Sequence, residues 1–118
     1  MTKLTADSVQ QIVSEEIATI AHDAAKLWIK SRLITPERID LFCEYRNDER
    51  FDAWIIGDVG ERNVIIQYCH DGFCGTSDSK WGLNFRGEKH FGMDAGWFLK
   101  LESIAFEWLG SPEGYEVP

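Results

Sequence analysis

The middle of the chain is a run of short strand-like segments separated by turns, and this arrangement restricts the possible folds more than any other feature. Residues 38–46 and 81–86 alternate between apolar side chains and polar or glycine positions, while 51–59 and 63–69 are rich in aromatic and β-branched residues. These patterns predict four β-strands. Only a few residues join the first three strands, and a parallel pair would need a connection of about a dozen residues or more. We therefore expect an antiparallel meander.

Helical periodicity flanks the strands on both sides. Apolar residues recur at three- and four-residue steps after Thr5, a good N-cap, and predict one amphipathic helix over residues 5–31. A closing helix is predicted over residues 95–109, with Asp94 as its N-cap and Gly110 at its end.

Length and composition fit one compact domain. The chain has 118 residues, of which 44% are hydrophobic and 27% are charged, so it can form a core and does not resemble a disordered segment. We expect a single α+β domain over residues 1–118, with an N-terminal amphipathic helix, a four-stranded antiparallel meander and a C-terminal helix. Residues 111–118 are expected to form a frayed tail.

The balance of charge restricts the possible partners. The formal net charge is −8 at pH 7, which repels nucleic-acid backbones and anionic membranes and attracts basic proteins. We expect a basic protein partner, with no direct binding to nucleic acid or to membrane. No apolar stretch approaches the roughly 20 residues of a membrane span. The N-terminus shows no secretory signal, so a cytoplasmic location is expected.

Three cysteines and two of the three histidines are the residues most able to carry chemistry. Cys43, Cys69 and Cys74 are an odd number without a secretory context, so reduced thiols are expected. Zinc would need four ligands from these thiols, His70 and His90, but Cys-x4-Cys occurs once without a matching pair. Adjacent Cys69 and His70 would point to opposite faces of a strand, which is unsuitable for a nucleophile and its base. A nucleophile–base pair of Cys74 with either histidine remains compatible with the sequence. We expect no metal, no cofactor and no enzymatic activity.

One face of the predicted sheet combines aromatic rings with carboxylates. Alternation places two aromatic and four acidic side chains on the same side: Asp40, Phe42, Glu44, Asp52, Trp54 and Asp58. Rings supply desolvated contact area and carboxylates pair with arginine, so these six residues are predicted to bind the partner. The alternative is that the closing helix covers this face, in which case both rings belong to the core.

Two functions follow from these observations. The first is a small acidic protein that neutralises or inhibits a basic partner, such as a nuclease or a toxin, in the manner of a bacterial immunity protein or a phage inhibitor. An exposed aromatic face would equally suit a homodimer. The alternative function is a small-molecule-binding or enzymatic domain with its site in the 70–80 loop and the 87–94 segment, because the loop is long enough to be functional.

Overall fold

The structure, a computed structural model, describes residues 4–115 and 117–118 of the chain. Two helices come first, α1 (Ala6–Ala18) and α2 (Asp23–Lys30), and α3 (Leu101–Leu109) comes last. The sheet lies between them in sequence, which is the α+β order that the sequence predicts.

The sheet is an antiparallel meander in which every strand pairs with its neighbours along the chain. The sequence predicts four strands, and the structure adds a fifth at the end of the sheet. Its two residues are too few to show the alternation that identifies a strand. The five strands are β1 (Leu33–Cys43), β2 (Glu49–Asp58), β3 (Val64–Tyr68), β4 (Trp81–Phe85) and β5 (Trp97–Phe98).

The single helix predicted over residues 5–31 is two helices. The first begins at the expected N-cap, Thr5, whose hydroxyl accepts a hydrogen bond from the Ser8 N–H at 3.1 Å. The backbone then leaves the helix, and His22 is extended ahead of α2. Ile20, in the connection, is buried like the apolar helix residues. The apolar spacing therefore continues across the break and hides it in the sequence.

The closing helix α3 begins later than predicted. Asp94, expected as its N-cap, instead opens a 3₁₀ turn (Asp94–Gly96) that leads to β5. The N–H of Leu101 donates to the Glu16 carboxylate on α1 at 3.1 Å, so the cap comes from another element and no local signal marks it. The helix ends as predicted at Gly110, where φ is 88°.

Part of the predicted frayed tail is packed. The Tyr115 ring lies 4.5 Å from the Phe106 ring, centroid to centroid, and the Tyr115 hydroxyl is 3.1 Å from that of Ser103. The prediction is wrong at Tyr115, because the chain returns to α3 and gives the ring a partner. Glu116, also within the predicted tail, lies outside the described residues.

All three helices cover one face of the sheet, which we call the helix face, and there they form the larger hydrophobic core. The other face, which we call the loop face, carries a smaller core that includes Phe73 and Phe91 from the connections flanking β4. Every residue of β3 is buried, as expected of a strand covered on both sides. None of the described helices is long and apolar enough to cross a membrane.

The loop-face core is held by backbone and side-chain contacts. The Phe42 N–H donates to the Lys89 carbonyl at 2.8 Å, and the Phe91 N–H donates to the Phe42 carbonyl at 3.2 Å. Residues 89–91 therefore lie along the free edge of β1. Gly82 leaves room for the Trp97 ring, because a Cβ at that position would lie 2.6 Å from it. These contacts fix loops that the sequence alone leaves unplaced.

A disulfide joins Cys43, at the end of β1, to Cys74 in the 70–80 loop, and only Cys69 is a free thiol. The expectation of three reduced thiols is therefore wrong for this pair. Alternation along β1 places Cys43 on the loop face, and the loop folds back over it, which no sequence spacing indicates.

We predict that the Cys43→Ala/Cys74→Ala double variant lowers the free energy of unfolding by about 3 to 4 kcal/mol, because the bond closes a loop of 31 residues in the unfolded chain. Urea denaturation with and without dithiothreitol measures this. The wild type should lose stability in reductant and the double variant should not. Alkylation of the unreduced, denatured protein should label one thiol, and labelling of three would contradict the pairing.

Candidate protein-binding site

The six residues predicted to bind a partner do not form one surface. On the helix face Asp40 pairs across the strands with Asp52, and Phe42 pairs with Arg50. Glu44 lies beyond the end of β1 and is exposed. Along β1 the apolar residues belong to the loop-face core, and the charged residues lie on the helix face.

Asp40 and Asp52 sit in a neutral ion cluster. Arg50 Nη1 lies 2.7 Å from the Asp40 carboxylate and 2.9 Å from that of Asp52. Arg38 also bonds to both carboxylates. Two guanidinium groups therefore balance two carboxylates, and the predicted acidic face carries no net charge at this point.

Trp54 is part of the core, so its prediction as an exposed anchor is wrong. Its side chain is 7% exposed within the helix-face cluster, and its cross-strand partner is Tyr68. Phe42, farther along the same face, is half-buried. The helices cover the sheet at Trp54. At this residue, therefore, the ring belongs to the core, as in the alternative that the sequence leaves open for this face.

Asp58 lies on the opposite face from the other strand residues. The register shifts between Ile55 and Gly57. Asp58 then pairs with Ile65 on β3, and Ile65 in turn pairs with Asn84 on β4. One extra residue at a bulge reverses which face each later side chain occupies. Simple alternation therefore misplaces Asp58, which the structure joins to Arg86 at 3.1 Å.

A different surface has the composition expected of a partner site. A groove of about 380 Å³ opens where the β1–β2 turn meets the 70–80 loop, and we call it the hairpin groove. Two of the exposed large apolar side chains line it, Tyr45 (64% exposed) and Met93 (71% exposed). The other lining residues are Cys43, Arg46, Phe73, Cys74, Thr76 and Asp94.

The aromatic floor of the hairpin groove continues into the core. Tyr45 lies 6.3 Å from Phe73, which in turn lies 5.7 Å from Phe91, and Phe91 lies 5.3 Å from Trp97, centroid to centroid. The Arg46 guanidinium donates to the Cys74 carbonyl at 3.0 Å. With the disulfide, these contacts hold the groove in one shape before any partner arrives, which lowers the entropy cost of binding.

Exposed carboxylates lie on the groove and beside it. Asp94 lines the groove, whereas Glu44, Asp48 and Glu49 are exposed residues of the hairpin that carries Tyr45. Glu49 lies 3.6 Å from the Arg46 guanidinium, and Asp48 lies 3.3 Å from His90 Nε2. Residues 44–49 therefore carry three carboxylates and one guanidinium.

The cysteines and histidines do not assemble into a reactive centre. The His70 ring nitrogen Nδ1 lies 2.6 Å from the Tyr68 hydroxyl, whereas His90 contacts Glu88 and Asp48. Burial raises the pKa of the Cys69 thiol to about 12, so it stays protonated at neutral pH. No group of three or more metal-ligating side chains occurs among residues 4–115 and 117–118.

Sequence reasoning missed Tyr45 and Met93. The alternation over residues 38–46 assigns Tyr45 to the apolar side of β1, although the strand ends before it and the turn exposes its ring. An aromatic residue within a polar turn is a signal that could have identified it, since loop positions often carry function. Met93 has no such signal, because only the folded loop brings it to the groove.

We predict that Trp54→Ala lowers the free energy of unfolding by about 3 to 5 kcal/mol, because it empties a buried site. Phe42→Ala, on the same face but half-buried, should cost only about 1 kcal/mol. Chemical denaturation of both variants measures the difference. Equal losses would show that Trp54 is no more enclosed than Phe42.

We also predict that the ion cluster contributes to stability in a pH-dependent way. Partial burial raises the pKa of Asp52, but hydrogen bonds from Arg38 and Arg50 outweigh it, so the net pKa lies below the ordinary 3.8. A lowered folded pKa gives stability that is present above pH 4 and lost as pH falls through the folded value. Wild type should therefore lose stability below about pH 4 more steeply than Asp52→Asn.

The control for this prediction is Glu44→Gln, which removes a carboxylate that forms no ion pair within the described part of the chain. Unfolding measured between pH 2 and pH 6 should give this variant the wild-type slope. An unchanged slope in Asp52→Asn would contradict the role of the cluster.

Comparison with protein-family models, with curated proteins and with solved structures finds no match for this chain. The case for a function therefore depends on the geometry and charge of the sites described above.

Proposed function

We propose that this protein binds a basic protein partner through the hairpin groove and inhibits or neutralises it by covering the partner's basic surface. The observation that carries the proposal is the pair of exposed apolar side chains, Tyr45 and Met93, on a preformed groove that adjoins an acidic hairpin. Interfaces of this kind combine aromatic and methionine contacts at the centre with a polar rim. The partner class is that expected from the sequence, a basic protein such as a nuclease or a toxin.

The charge distribution supports a basic partner. Residues 44–49 carry three carboxylates and one guanidinium, Asp94 lines the groove, and the whole chain carries a net charge of −8. Such a field accelerates association with a basic protein and pairs with its arginine side chains. In this proposal the apolar side chains supply most of the affinity and the carboxylates supply the selectivity.

The alternative function, a small-molecule or enzymatic site in the 70–80 loop and the 87–94 segment, has less support. The two segments do meet, but they meet through Phe73 and Phe91 in the loop-face core. His70 and His90, the residues that would carry chemistry, have separate partners.

A cytoplasmic location is part of the proposal, in keeping with an immunity-like or phage-inhibitor-like role. The Cys43–Cys74 disulfide is the observation against it, because disulfides persist mainly in oxidising compartments. Alkylation of the protein inside intact cells, before lysis, distinguishes the two locations.

We predict that Tyr45→Ala/Met93→Ala weakens binding to the partner by about 100-fold, because buried anchors dominate the affinity of protein interfaces. Candidate partners are basic proteins encoded beside the gene, and calorimetry with the purified pair measures the dissociation constant. Raising the salt concentration should slow association with the wild type.

The matched control is Leu27→Ala, which removes another exposed apolar side chain, one that is 70% exposed on α2. It should bind the partner as the wild type does. Equal affinity of the groove variant and the wild type would contradict the proposal. Sedimentation of the free protein tests the homodimer, because a dimer formed through the groove should dissociate in the groove variant.

A further inference from the structure

A second cavity lies on the loop face, away from the hairpin groove and sharing no lining residue with it. Its volume is about 180 Å³, and it separates the sheet from the turn that follows β4. Isoleucines 39, 55 and 65 and Gln67 line it from the sheet. The remaining lining residues are Asp40, Gly87, Glu88 and Lys89.

Gln67 is the one polar residue whose side chain is fully enclosed at this cavity. It is 0% exposed, and it is the fourth of the five residues of β3, between isoleucine and tyrosine. A strand position of this kind is ordinarily apolar, so an amide here needs hydrogen-bond partners to offset its desolvation.

The neighbouring Asn84 fixes how the Gln67 amide is oriented. Asn84 Oδ1 accepts from the Phe85 N–H at 2.9 Å, and its Nδ2 donates to the His90 carbonyl at 2.9 Å. That Nδ2 also donates to Gln67 Oε1 at 3.4 Å. Rotating the Gln67 amide would set two donors against each other, so the oxygen must face Asn84.

The Gln67 amide nitrogen is consequently left without a partner. Its Nε2 atom is buried and forms no hydrogen bond within the part of the chain that the structure describes. Native proteins rarely bury an unpaired amide donor, and each exception needs an explanation. A hydrogen-bond acceptor that enters the adjoining cavity would supply the missing partner.

We propose that this cavity binds a small uncharged carbonyl compound with an apolar body, whose oxygen accepts a hydrogen bond from Gln67 Nε2. The three isoleucine side chains surround the apolar body. Glu88 and Lys89 at the edge carry opposite charges, and Asp40 is paired with Arg38 and Arg50, so the site does not select a charged ligand. The site is independent of partner binding at the hairpin groove.

The cavity volume sets the size of the ligand. An apolar cavity of about 150 Å³ is enough to hold benzene, whereas one water occupies about 30 Å³. Four of its lining residues are exposed, so this cavity is open to solvent and a ligand can enter it. A ligand of about six to ten non-hydrogen atoms fits, such as a monocyclic aromatic ketone or a branched aliphatic one.

Two probes of nearly equal shape test the hydrogen bond. Acetophenone carries the carbonyl oxygen, and α-methylstyrene has a methylene group in its place. Titration of ¹⁵N-labelled protein should shift the Gln67 side-chain amide signals with acetophenone, and acetophenone should bind about 10-fold more tightly than α-methylstyrene, the difference expected of one hydrogen bond.

Variants at Gln67 test which residue discriminates between the probes. Gln67→Leu removes the donor at similar volume, and Asn84 retains its bond to the His90 carbonyl, so the fold should survive. The two probes should then bind with equal affinity. Gln67→Met repeats the test should the leucine variant fail to fold.

Variants along β1 test the location of the site. Ile39→Phe fills the cavity and should abolish binding of both probes. Ile34→Phe makes the same change on the same strand outside the cavity lining and should leave binding unchanged. The proposal fails if neither probe binds the wild type, if both bind equally well, or if Ile39→Phe binds them as before.

Discussion

The burial of the sheet on both of its faces is the constraint on which the rest of the structure depends. A sheet of five strands offers two apolar surfaces, and three helices cover only one of them. The other must be covered by the irregular connections, which bury Phe73 and Phe91 against it. Connections that serve as part of a core need firm attachment, and the disulfide, the β1 edge contact and the packing of Trp97 provide it.

This attachment links the core to the proposed sites. The hairpin groove lies where the attached loop meets the β1–β2 turn, so its shape follows from the same disulfide that stabilises the loop-face core. The Gln67 cavity lies where the turn after β4 fails to fill the space above the isoleucines. Both sites therefore result from the way in which irregular connections cover the loop face.

The register of the strands determines which charges are neutralised and which stay available, and the composition of the chain does not. Asp40 and Asp52 face each other across β1 and β2, where like charges would repel, and Arg38 and Arg50 are placed to neutralise them. In the hairpin that joins the two strands, residues 44–49 carry three carboxylates and only one guanidinium. The net charge of the chain thus predicts the kind of partner, whereas only the pairing of strands shows where that charge is available.

The sequence by itself determined the order of helices and strands, the antiparallel pairing, the N-cap at Thr5 and the end of α3 at Gly110, because each of these depends on local periodicity or on residues adjacent in the chain. The tertiary structure decided that Trp54 is buried, that Asp58 changes face at a bulge, that Cys43 meets Cys74, and that Tyr45 and Met93 share a groove. Contacts of this second kind join residues far apart in sequence. Their energy depends on how one layer covers another, and no local pattern contains that information.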